Sequence, residues 1–215
     1  LTSLECNQVL AIVHACAVVG LDGHIIEVQV DFNPKAGIPS FTIVGLPDSA
    51  VRESRERVRS AIKNSRLRFP NKGYVVNLSP ADLPKHGPAY DLAIAIGVLA
   101  ATDQVPMPAL DNTLFIGELS LDGRINHVKG VMPMTYAAVQ NGIQAVHVPA
   151  MDAPQASLIE EATVYPTETL GQLVEHLYDL NPIGPFHSDD NRLNQDEDWP
   201  ADLVDFADVK GQEHV

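Results

Sequence analysis

The chain has 215 residues, 45% of them hydrophobic, a formal charge of −14 and two cysteines. That length fits one large domain or one domain with a tail, and no run approaches the roughly 18 to 20 apolar residues that a membrane-spanning helix needs. The acidity argues against generic nucleic-acid affinity, and Cys6 and Cys16 are too few and wrongly spaced for a disulfide framework or a zinc site.

Residues 1–8 read as a leader. The apolar stretch after Val9 has no preceding Lys or Arg and is broken by His14, which makes a poor signal peptide. "LAIVHACAVVG" and "HIIEVQVDF" are β-rich runs joined by Leu-Asp-Gly, a hairpin signal. In the second run Ile26, Val28 and Val30 alternate with Glu27, Gln29 and Asp31, so one face is wet. After a loop, "FTIVG" is a third strand. A helix follows, capped by Asp48, with Val51, Val58, Ala61 and Ile62 as its apolar stripe and Arg52–Glu56 and Glu53–Arg57 at i,i+4 spacing. "YVVNLSP" is a strand that runs into the loop "ADLPKHGP". The stretch from about Ala89 to Ala101 is apolar on all sides, the pattern of a central core helix.

Further on, "TLFIGELSL" reads as one strand, followed by a second Leu-Asp-Gly turn and the short strand "RINHV". "VMPMTYAAVQNG" is a helix entered through Gly130 and closed by Asn141-Gly142. Pro133 stands where a first turn tolerates it, and Met107, Met132 and Met134 are apolar fillers. "IQAVHVP" and "ATVYP" are strands, and "ETLGQLVEHL" is a helix. The fold class is mixed α/β (α+β), one compact domain over residues 9–180. Residues 181–205 change to Pro, Asp and Asn and read as an acidic linker. "FADVKGQEHV" at 206–215 opens something organised. With no initiator Met at the start, a piece of a longer chain is expected.

Charge is unevenly spread. Arg52, Arg55, Arg57, Arg59, Lys63, Arg66, Arg68 and Lys72 are opposed between 52 and 72 only by Glu53 and Glu56. Between 187 and 208 eight acids face Arg192 alone. The basic stretch could be a solvated helix face, a subunit contact or a sequence-independent grip on DNA phosphates. The acidic stretch is most simply a solvated linker, and secondarily a mask for the basic helix. Lys85 and His86 could bind an anion, or simply belong to an exposed loop. Asp91, in the first turn of the core helix, could be a general base or satisfy the free N–H groups there. Glu118 reads as a hairpin contact or a relic of an active site. No metal site is expected. A Gly87-Pro88 turn at a helix N-terminus could stabilise an oxyanion, but Ala89 offers no nucleophile.

"GPAYDLAIAIG … FIGELSLDGRINHVKGVMPMTYAAVQNGIQAVHVP" resembles the proteolytic domain of Lon-type proteases. The match to Gly-Glu-aliphatic-polar-Leu-x-Gly falls on residues 117–123. The resemblance implies a Lon-like fold of the ribosomal-protein S5 domain 2 type. It puts the serine nucleophile on Ala89 and its lysine partner near Met134, so both members of the dyad are replaced. "FTIVGLPDSAVRESRERVRSAI", "VNLSPADLPKHGPAYDLAIAIGVLAA" and "FIGELSLDGRI" resemble more tightly the amino-terminal domain of the ComM family of magnesium-chelatase-like, ChlI-related AAA+ ATPases. This implies a bacterial cytoplasmic protein forming a homo-hexamer, whose AAA+ module uses ATP and Mg2+ and acts on branched or single-stranded DNA in recombination. Phe206 to Gln212 fit the opening of such a module. No Gly-x-x-x-x-Gly-Lys-Ser/Thr loop occurs in the chain, so no cofactor is expected here. Two other readings remain open: a peptidase with a displaced dyad, Ser79 with Lys85 or Lys129, and a magnesium chelatase subunit.

Overall fold

A computed structural model describes residues 9–187; residues 1–8 and 188–215, with the leader, most of the linker and the 206–215 opening, lie outside the described residues. Strands β1 (Val9–Val19) and β2 (Asp22–Asn33) form the expected antiparallel hairpin, with Val13 opposite Val28. β3 (Ser40–Val44) pairs in parallel with β4 (Gly73–Ser79), and β4 pairs antiparallel with β2. On the far side of β1, strands β5 (Thr113–Phe115), β8 (Ala145–Pro149) and β9 (Thr163–Thr167) continue the sheet in parallel. The seven-stranded order is β3-β4-β2-β1-β5-β8-β9.

Strand alternation feeds two cores. On β1, Ala11, Val13, Ala15 and Ala17 face one core, which also holds helices α1 (Ser49–Asn64), α2 (Asp91–Ala101) and α5 (Leu170–Leu177). Cys16 faces the other, with α3 (Val131–Gln140) and the short α4 (Ala153–Ala156). All eleven residues of α2 are buried, as its all-round apolar sequence requires. It comes so close to the sheet at Gly97 that a Cβ there would meet the Val30 side chain at 2.5 Å. Helix α3 enters through Gly130 in the left-handed region, φ 83°, and the turn after it uses Gly142 at φ 78°.

One expected element divides. "TLFIGELSL" is not a single strand: β5 ends at Phe115, and β6 (Glu118–Leu119) pairs with β7 (Ile125–Asn126) in a separate two-stranded ribbon. The chain leaves the sheet because Gly117 is bonded to the start of α2. Its N–H donates to the Ala89 carbonyl at 3.2 Å, and its carbonyl accepts from Leu92 N–H at 3.1 Å. Only glycine fits that crossing, since a Cβ would lie 2.6 Å from Ile125.

His147 of β8 is stacked between Phe115 at 5.1 Å and Tyr165 at 4.9 Å, with His176 of α5 edge-on at 5.2 Å. It is buried, and its Nδ1 has no hydrogen-bond partner among the described residues. Burial, with a smaller push from His176, holds its pKa down at about 3 against an ordinary 6.5. The unfolded chain takes up this proton below pH 6.5 and the folded chain does not, so the stability is intact above 6.5 and declines as the pH falls towards 3. Urea unfolding at pH 5 is expected to give about 2 kcal/mol less stability than at pH 7.5, and His147→Phe, which keeps the stack, is expected to remove most of that difference.

Candidate functional site

The site is a cleft of about 380 Å³ at the start of α2. One wall is the turn Gly87-Pro88-Ala89, reached from β4. The other is built by Glu118 of β6, the segment His127–Lys129 and Met134 of α3. The two positions that the Lon resemblance assigns to the dyad, Ala89 and Met134, therefore line one cleft. Among the described residues that line it there is no serine, threonine or cysteine. Its floor is apolar, with Val18, Pro88 and Val128, and Lys129 sits exposed at its rim. Ser79 lines a different hollow, with His14 and Glu27.

Asp91 stands behind the cleft, fully buried. Arg57 of α1 donates to it through Nε at 2.6 Å and through a terminal nitrogen at 3.1 Å. The Ser54 hydroxyl and the Leu119 N–H, the latter at 3.2 Å, donate as well. Burial pushes the Asp91 carboxyl above the usual carboxylate range, while Arg57, Ser54 and the Leu119 N–H pull it back. Its hydrogen bond to Asp91 raises the Arg57 pKa in turn, so the guanidinium stays charged. Asp91 thus ties α1, α2 and β6 together, and does not face the cleft as a base. Arg57 leaves the basic row of α1, and its Glu53 partner is a looser 4.0 Å contact.

Asp48 performs a second tie. Its side chain caps α1 at Val51 N–H, 2.8 Å, and accepts from Gly87 N–H at 3.1 Å, with His86 Nδ1 at 3.3 Å. Burial would raise its pKa, but these donors hold it below the ordinary value. His86 is exposed, whereas Lys85 is not on the exposed rim that the sequence suggested. Lys85 is fully buried and its Nζ donates to the Pro80 carbonyl. The backbone explains it: Lys85 N–H bonds the Leu46 carbonyl and its own carbonyl accepts from Asp48 N–H, which turns the side chain inward. Desolvation lowers its pKa.

Sequence reading missed His127 and Asp152. His127 Nδ1 lies 2.5 Å from the Asp152 carboxylate, whose other oxygen accepts from Val128 N–H at 3.1 Å. Twenty-five residues separate the pair and no local spacing announces it. It also missed Ser54, although Ser54 falls at i+3 from Val51, inside the apolar stripe.

The other basic candidates are all exposed. Arg52, Arg55 and Arg59 lie on one exposed face of α1, beside β3. Lys63 ends that helix, Arg66 and Arg68 follow it, and Lys72 leads into β4. Of the expected i,i+4 pairs only Glu53–Arg57 forms among the described residues; Arg55 instead meets Glu56 at 3.1 Å. Replacing Arg57 by Met strands a buried carboxylate and is expected to cost about 3 to 5 kcal/mol in chemical denaturation. Arg52→Ala and Arg55→Ala, on the open face, are expected to stay within about 0.5 kcal/mol.

Comparison with known proteins follows the same outline. The family described as "Subunit ChlI of Mg-chelatase" matches residues 27–152. An uncharacterised protein of Mycobacterium tuberculosis is 43% identical over 196 residues, 91% of this chain and 37% of that protein. Competence protein ComM of Haemophilus influenzae is 36% identical over 206 residues, 96% of this chain and 40% of ComM. Lon protease 2 of Bacillus subtilis is 27% identical over 209 residues, 85% of this chain and 36% of the protease. The chain spans about two fifths of the length of the curated relatives it matches. With that family match and those relatives, the chain belongs to the ChlI-type, magnesium-chelatase-like family that includes ComM.

Proposed function

We propose that this domain is a non-proteolytic, Lon-like part of a ComM-type AAA+ ATPase, serving assembly, DNA guidance or both for a hexameric, ATP-dependent branch-migration helicase in the bacterial cytoplasm. The observation that carries the silent-cleft reading is that Ala89 and Met134 line a cleft in which, among the described residues, there is no serine, threonine or cysteine. An acyl-transfer mechanism needs an attacking atom and a base within reach of it. The His127–Asp152 pair supplies a held imidazole at the rim, but among the described residues no serine, threonine or cysteine lines the cleft beside it. The displaced-dyad alternative is disfavoured, because Ser79 opens onto another hollow and the Lys85 amine is committed to Pro80.

ATP and Mg2+ belong to the expected AAA+ module. The residues here do not fit them: no phosphate-cradling Gly-Lys-Ser/Thr loop is present, and among the described residues no three His, Cys, Asp or Glu side chains converge as metal ligands. The same observation disfavours a chelatase role for this domain. No helix among the described residues is long and apolar enough to cross a membrane. The exposed basic surface around α1 suits phosphates or a neighbouring subunit, since lysine and arginine act on phosphates without reading bases.

Two measurements test the reading. Incubation with an unfolded, fluorescently labelled protein is expected to show no cleavage; turnover that Ser79→Ala abolishes would establish the peptidase instead. Forked DNA is expected to bind in a salt-sensitive manner, and reversal of Lys63, Arg66 and Arg68 to Glu is expected to lower the slope of log affinity against log salt by about one per lost phosphate contact. An unchanged slope would leave assembly as the role of the domain.

A further inference from the structure

β3 is an edge strand, bonded among the described residues on one side only, to β4. Ser40 N–H donates to the Lys72 carbonyl at 3.1 Å. Strand alternation therefore turns the amides of Ser40, Thr42 and Val44 towards β4 and leaves those of Phe41 and Ile43 facing outward. Beside this open edge run two hollows of about 350 and 310 Å³. They are lined by Phe41, Thr42, Arg52, Arg55, Arg59 and Lys72, among others, with one acid, Glu56, 3.1 Å from Arg55. Arg59 lies over the Phe69 ring at 5.9 Å. The three arginines sit at i, i+3 and i+7, so they follow one another about 4.5 and 6 Å apart along the helix axis. Same-face side chains of an extended strand recur about every 6.6 Å. The groove thus offers a backbone ladder and, parallel to it, a row of positive charges at nearly the repeat of a strand whose alternate residues are acidic.

The sequence contains a segment of that charge. Asp196, Glu197 and Asp198 stand together, and Pro200 shortly after them cannot donate to a ladder. Reach decides whose segment it is. Phe186 N–H is bonded to the Val164 carbonyl, which pins the described chain beside β9, at the opposite edge of the sheet. The six interstrand gaps between β9 and β3 span about 29 Å. The nine residues from His187 to Asp196 reach about 30 Å only when fully stretched, and their path must also go round the helices that cover the sheet. The chain's own segment falls short of its own groove.

We propose that the groove between α1 and β3 receives the acidic segment around residues 196–198 of a second copy of this chain, which adds a strand to the edge and pairs Asp196 and Asp198 with the row Arg52, Arg55 and Arg59. The contact is head-to-tail, joining two different surfaces, so its repetition closes a ring or propagates a filament. It rests on the assembly half of the proposed function and names the surfaces that carry it. A row of arginines also serves simply to guard an exposed edge, and the experiment separates the two.

Amide hydrogen exchange of the whole 215-residue chain, followed by NMR at low-micromolar and near-millimolar concentration, reads the contact directly. Exchange at Phe41 and Ile43 is expected to slow by about tenfold or more as concentration rises, while Thr42 stays protected throughout. Reversing the groove (Arg52→Glu, Arg55→Glu, Arg59→Glu) or the segment (Asp196→Lys, Asp198→Lys) is expected to abolish the slowing. Mixing isotope-labelled groove variant with unlabelled segment variant is expected to restore it. Slowing that is already complete at low concentration, slowing at no concentration, slowing only after single-stranded DNA is added, or failure of the mixed pair each overturns the proposal. The cleavage and forked-DNA measurements use other residues, so a failure here is distinguishable from a failure of the broader reading.

Discussion

The buried carboxylate of Asp91 organises this molecule. It sits in the first turn of α2, where the helix dipole favours a negative charge, and it is reached by donors from α1 and β6. Desolvating a charge is costly unless its oxygens are bonded, and here the guanidinium of Arg57, the Ser54 hydroxyl and a backbone N–H share the two oxygens. The consequence reaches both surfaces of interest. On one side the clamp fixes the start of α2 against β6, and these carry the Ala89 and Glu118 positions of the cleft. On the other it rotates α1 so that Arg57 points in while Arg52, Arg55 and Arg59 point out along β3.

The cleft separates shape from chemistry. The turn, the helix N-terminus and the two-stranded ribbon that would hold a substrate are all in place, because each is fixed by backbone bonds such as Gly117 to Ala89. The reacting atoms of a Lon-type site belong to side chains, and the two positions that the resemblance assigns to them here are Ala89 and Met134, which line the cleft. A scaffold held by its main chain can lose its reactive groups without losing its outline.

Most of the architecture was legible in the sequence because its signals are local. The hairpin at Leu-Asp-Gly, the Asp48 cap, the all-apolar α2 and the glycines around α3 each rest on a few neighbouring residues, and each element formed where those residues placed it. The failures are nonlocal. The division of β5 from β6 depends on Gly117 meeting α2, and the burial of Lys85 depends on Leu46 and Asp48, far away in the chain. In the site, Asp91 was visible as a charge in an apolar helix, but its partners Ser54 and Arg57 lie 37 and 34 residues back. The His127–Asp152 pair left no trace at all, since it joins two segments that meet only in the fold.

The place of β1 in the sheet has a consequence for how the domain comes together. β1 opens the described chain yet lies fourth of seven, with β2 against one edge and β5 against the other. The hairpin partner arrives within a few residues, whereas the parallel neighbour of His14 is Leu114, a hundred positions later. The long pairing of β1 with β2 can be completed early, whereas its short contact with β5 must wait for most of the domain to be synthesised. Until then the unpaired side of β1 is itself a temporary sheet edge, and its closure by β5 is a long-range step whose loop entropy slows folding relative to the hairpin.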